Sequence, residues 1–125
     1  MLRGTLTCGC IALRTITDVT IELAKENFAP PAAPIAIGGN KPTSRAFIAG
    51  FGAHWGAADL QTHLNHPTPA VQLFTVLRGV FSITVTDGET RQLHAGDMVL
   101  LEDITPCRGH ITVVGDKPGF LLFAR

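Results

Sequence analysis

At 125 residues the chain has room for one domain and no second core of useful size. An apolar fraction of 46% against 16% charged residues excludes a disordered chain and supplies ample material for a core. Ten basic residues offset by ten acidic ones, with few aromatics, exclude the basic stripe that neutralising a phosphate backbone requires, so nucleic acid is not an expected partner.

Residues 1–8 hold one basic residue, Arg3, and are then broken by Gly4, Thr5 and Thr7; the uninterrupted apolar core of a secretory signal is lacking. Cys8, Cys10 and Cys107 make an odd count, and a chain this apolar does not need a cross-link to fold. The reading is a reducing cytoplasm. Leu6 to Leu23, rich in Thr and Ile, reads as an added hairpin, and Glu22 to Glu26 as a short helical stretch. Phe28-Ala29-Pro30-Pro31-Ala32-Ala33-Pro34 is too dense in proline to donate to a ladder and reads as an extended strap along a sheet edge.

From there the dominant period is two. Arg45 to Phe51 and Val71 to Leu77 read as strands separated by a Gly-rich loop, Gly50 to Gly56, that carries His54 and Trp55. Phe81 to Thr86 alternates apolar and hydroxylic residues, Asp87-Gly88 suits a tight hairpin, and Thr90 to His94 returns. Ala95-Gly96-Asp97 turns into Met98 to Leu101, apolar on both faces. Ile111 to Val114 and Phe120 to Phe123 flank a Gly115 to Gly119 turn. Short strands punctuated at this spacing describe an all-β antiparallel sandwich or barrel. The longest apolar runs, such as Met98 to Leu101, are far too short to span a bilayer as a helix, and no membrane partner is expected.

Two segments carry a family resemblance. The first is His66-Pro67-Thr68-Pro69-Ala70-Val71-Gln72 followed by Leu77-Arg78-Gly79; the second runs from Gly96-Asp97 through Leu100-Leu101-Glu102-Asp103 to Gly109-His110. Together they resemble the two motifs of the cupin superfamily, and in particular its uncharacterised small single-domain members. The family's first motif, His-x-His with a following Glu and a Gly seven positions later, falls on His66, Thr68, Gln72 and Gly79. Its second motif ends in His110, after a loop about three residues longer than the family pattern. The resemblance covers residues 28–125 and implies a single-domain antiparallel β-barrel of jelly-roll type, with residues 1–27 as strands or an extension packing on it.

Cupins that bind metal use three His and one Glu at these positions. Here Thr68 stands for one His and Gln72 for the Glu, leaving His66, Gln72 and His110 as the candidate metal ligands. His63 is a candidate third imidazole and Glu102 a source of charge, although neither occupies a motif position. The cofactor the resemblance implies is a divalent transition metal (Zn, Fe, Ni or Mn), for which imidazole is a good ligand and Gln or Thr a weak one. The wider candidate pocket is His66, Thr68, Gln72, Phe74, Glu102, His110 and Trp55. Strand alternation supports it, because Gln72 on an inner face brings Phe74 and Val76 with it.

Ordinary structural readings stand beside these. His66 could bond a loop carbonyl, and His110 could be a satisfied buried histidine on Glu102 or Asp103. Trp55 is either a pocket wall or a surface aromatic, and His94 a solvated strand residue. Cys8 and Cys10 read as core or interface cysteines, while Cys107, beside Arg108 and His110, is a remote candidate nucleophile.

Two functions follow as expectations: a small-molecule-binding cupin with an incomplete metal site, or a metal-dependent cupin enzyme of dioxygenase or isomerase type. The epimerases of the family use a Tyr acid, and this chain has no tyrosine. The apolar outer parity of Val71, Leu73 and Leu77 leads to the expectation of a homodimer.

Overall fold

The computed structural model describes residues 5–7 and 15–125. Period-two patterning yields strands almost throughout: β1 (Thr5–Thr7), β2 (Thr15–Thr17), β3 (Ala24–Glu26), β4 (Ile35–Ile37), β5 (Ala46–Phe51), β6 (Gln72–Arg78), β7 (Phe81–Val85), β8 (Thr90–Leu93), β9 (Met98–Leu101), β10 (His110–Val114) and β11 (Gly119–Ala124). One short helix, α1 (Ala57–Thr62), interrupts them. The strands form a six-stranded sheet in the order β2-β1-β9-β6-β11-β5, a three-stranded sheet β10-β7-β8, and a separate ribbon β3-β4. Every pair is antiparallel except β1 with β9, which run parallel, a departure from the purely antiparallel expectation. Among the described residues the ladders form these separate sheets and do not join into one continuous closed sheet.

The two larger sheets share one core. Phe74 and Val76 of β6, Val99 and Leu101 of β9 and Leu121 of β11 meet Phe81, Ile83 and Val85 of β7, Leu93 of β8 and Val114 of β10. Phe81 is wholly buried at its centre. The alternation expected on β6 is observed: Gln72, Phe74 and Val76 are buried, whereas Leu77 on the other face is exposed. That other face is apolar as well. Ile48, Leu122, Thr75 and Met98 lie in register across β5, β11, β6 and β9.

Three local expectations are corrected. Glu22 to Glu26 is not helical; its last three residues are β3, exposed throughout and paired with β4. Pairing with β4 overrides the helix-favouring composition of these residues. The helix forms instead at Ala57–Thr62, inside what reads as loop, where Ala57, Ala58, Leu60 and Gln61 are good helix formers. The proline-rich strap does not hug a sheet edge: Phe28 to Pro34 is the exposed connection between β3 and β4. Missing donors keep it out of any ladder. No helix among the described residues is long and apolar enough to cross a membrane.

Candidate functional site

The site lies where the segment before β6 runs beside the start of β10. His66 and His110 exchange backbone hydrogen bonds in both directions, each at 2.9 Å, forming an antiparallel bridge outside the main ladders. One step further, the Thr68 N–H donates to the Asp103 carbonyl at 3.2 Å. Gly109 makes this approach feasible. Its φ is +92°, and a Cβ there would collide with the His66 carbonyl. The backbone thus clamps two motif segments, more than 40 residues apart in sequence, against each other, and their imidazoles follow with ring centroids 4.8 Å apart.

Each polar side chain has a defined partner. His110 Nδ1 lies 2.5 Å from Asp103 Oδ2, and both residues are buried. With a carboxylate as acceptor, Nδ1 carries the proton, which directs Nε2 to the other side of the ring. Thr68 Oγ1 donates to the Ala70 carbonyl at 2.8 Å, so its oxygen is an acceptor toward Gln72 Nε2 at 2.9 Å. This chain of bonds fixes the Gln72 amide: the flipped amide would set two acceptors against each other. Gln72 Oε1 is then a buried acceptor with no donor among the described residues, as is Asp103 Oδ1. Burial holds the His66 pKa below its ordinary value, the nearby His110 ring adds to this, and Asp103 and Asp59 oppose it.

His66, Thr68, Gln72, Phe74, Trp55 and His110 all line one cavity of about 160 Å³. The remaining wall is mostly apolar and includes Phe51, Leu101, Leu121 and Phe123. Trp55 stands edge-on to Phe51 with centroids 5.0 Å apart. Its loop is tied down by Val114 N–H donating to the Trp55 carbonyl and His54 N–H to the Gly115 carbonyl, both at 2.9 Å. Trp55 lines the cavity while 42% of it stays exposed, so it is both a pocket wall and a surface aromatic; His54 and His94 are exposed and do not line the cavity.

Two candidates are not brought to the cavity. Glu102 is only half-buried and does not line it. His63 is exposed at the end of α1, in a left-handed conformation that ends the helix. The acid that serves the site is Asp103. Alternation continued two residues past Leu101 assigns 103 to the inner side and 102 to the outer, which is the signal that picks the right carboxylate.

The candidate metal ligands that converge are consequently two imidazoles and one amide, with no carboxylate among the described residues that line the cavity. Among the described residues no group of three or more His, Cys, Asp or Glu is placed to hold a metal ion. Cys107 is buried and disulfide-bonded, so it offers no thiolate, and the nucleophile reading is withdrawn. A disulfide also removes the support that the cysteine count lent to a reducing compartment. Cys8 and Cys10 lie outside the described residues.

Chemically, the site is a small, mostly apolar cavity with one imidazole backed by a carboxylate, a second imidazole beside it, and a buried amide. No protein-family model matches the chain, and no curated protein matches it.

Proposed function

We propose that this chain is a small single-domain cupin-type β-barrel whose interior cavity binds a small molecule between His66, Gln72 and His110. The observation that carries the reading is the convergence of these three side chains on one cavity. A mostly apolar cavity with a few convergent polar side chains is the usual form of a small-molecule site. The two sheets around one core, and the fall of the motif positions on the cavity wall, support the cupin assignment.

A tightly held metal is not part of this proposal. Two imidazoles and an amide would leave a dication uncompensated at first contact in an apolar chamber, which is costly, and the weak oxygen donor adds little. The metal-dependent dioxygenase or isomerase reading would require stoichiometric metal. Mass spectrometric metal analysis of purified protein should return well under one divalent ion per chain. The chain is further proposed to act as a homodimer through the apolar outer face, where Ile48 and Leu122 are exposed side by side.

Benzene is a suitable first probe, because an apolar protein cavity of about 150 Å³ accommodates it. Saturating benzene should raise the unfolding midpoint of the native protein, and His66→Ala should change that increment more than it changes folding itself. Equal loss of both would assign His66 a purely architectural role.

A further inference from the structure

A second cavity, of about 590 Å³, lies against the outer face of the six-stranded sheet. Its floor is Leu73 of β6 and Met98 and Leu100 of β9, whose neighbours Gln72, Phe74 and Leu101 face the first cavity. Its roof is the base of the β3–β4 ribbon, with Ile21 and Leu23 entering β3 and Gly38 and Gly39 leaving β4. Glycine lets these two segments close on each other. A Cβ at Gly38 would fall 2.0 Å from the Glu22 carbonyl oxygen, and Gly39 has φ of +64° with the Ile21 side chain against it. The space lies in the size range of pockets that bury extended small molecules. It is also separate from Ile48 and Leu122, which belong to β5 and β11 toward the other edge of the sheet.

The polar lining residues are Thr20, Asn40 and Lys41, all exposed. Each can donate a hydrogen bond, and the Lys41 ammonium adds a positive charge. Asp18 and Glu22, the acids nearest in sequence, do not line the cavity, and Asp18 is paired with Arg91. Residues 1–4 and 8–14 contain no Asp or Glu, so no acid can come from them. We propose that this cavity binds a monoanionic amphiphile, a fatty-acid-type carboxylate of medium chain length. Its alkyl chain lies over Leu73, Met98 and Leu100, and its carboxylate meets Lys41. An apolar cavity indifferent to charge takes the uncharged alcohol over the carboxylate of equal length, because the carboxylate costs more to desolvate; Lys41 reverses that order. The inner chamber plays no part in this, and either site can fail without the other.

Calorimetric titration of the native chain at neutral pH with decanoate, decanol and decyltrimethylammonium, each below its micelle concentration, tests the class. Decanoate should bind about threefold or more tighter than decanol, and the ammonium compound weakest. Lys41→Gln, a change at an exposed side chain, should remove that margin, and about 1 M salt should shrink it in the parent. The chain has two methionines, Met1 and Met98, so methyl-labelled methionine gives an NMR signal from the cavity floor, assigned with Met98→Leu. Decanoate should shift it. Decanol or the ammonium compound binding best would overturn the anionic class, as would a margin that survives both Lys41→Gln and salt. Decanoate binding without a response at Met98, or no binding by any of the three, would overturn the site. A Met98 signal that moves with protein concentration and not with decanoate would assign the cavity to a second copy and overturn the ligand.

Discussion

His110 Nδ1 stands 2.5 Å from Asp103 Oδ2, and Asp103 has no solvent exposure at all. A carboxylate is seldom buried this completely without structural consequence, because removing its partner leaves an uncompensated polar group in an apolar setting. Asp103→Ala should therefore destabilise the fold by about 3 kcal/mol, and Asp103→Asn by less, since the amide can still accept from Nδ1. Urea unfolding measures both. A loss under about 0.5 kcal/mol for Asp103→Ala would show that the pair contributes nothing.

Gly109 and Gly88 give a matched comparison. Both have φ of +92°, but a Cβ at Gly88 meets open space and one at Gly109 meets the His66 backbone. Gly88→Ala should cost about 1 kcal/mol from backbone strain alone, and Gly109→Ala at least about 2 kcal/mol more. Equal costs at the two positions would mean that the His66–His110 bridge yields freely.

The depressed His66 pKa sets a direction for pH dependence. In the unfolded chain the imidazole titrates near its ordinary 6.5, whereas in the folded chain it resists protonation. As pH falls below that value the unfolded state binds more protons, and stability declines until the folded pKa is passed; above it the contribution vanishes. His66→Asn should flatten the stability profile on the acid side of 6.5 relative to the parent. A variant profile parallel to the parent's would contradict the assignment.

The apolar row on the outer face leads to an association test. Sedimentation equilibrium at micromolar concentration should report a dimer, and the Ile48→Lys, Leu122→Lys double variant a folded monomer, because the two side chains are cross-strand partners on the exposed face. A parent chain that sediments as a monomer would leave that face without a second copy.

Much of this was legible in the residues. The strands from Ala46 onward follow period-two alternation to within a residue or so, because one face of each must be buried and a one-residue slip would expose it. The inward set Gln72, Phe74, Val76 follows from the same rule. Where burial is absent the pattern carries little information. Residues 22–37 are almost wholly exposed, so neither the β3–β4 ribbon nor its proline-rich connection had a periodic signature. The short helix after Gly56 was masked by the glycines before it. Parity places Asp103 and not Glu102 on the inner side, and His63, three residues before His66, sits at the exposed end of α1. The aromatic walls Phe51 and Phe123 come from strands distant in sequence and depend on which strands pair, which β11 settles by lying between β5 and β6.

The proposed function requires His66, Gln72 and His110 to surround one chamber able to take a guest. A high-resolution crystal structure of the protein soaked in benzene decides this. A ring-shaped feature beside these three residues and Trp55, with the two imidazoles still adjacent, is expected. A collapsed chamber, or imidazoles directed to opposite sides of the sheet, would contradict it.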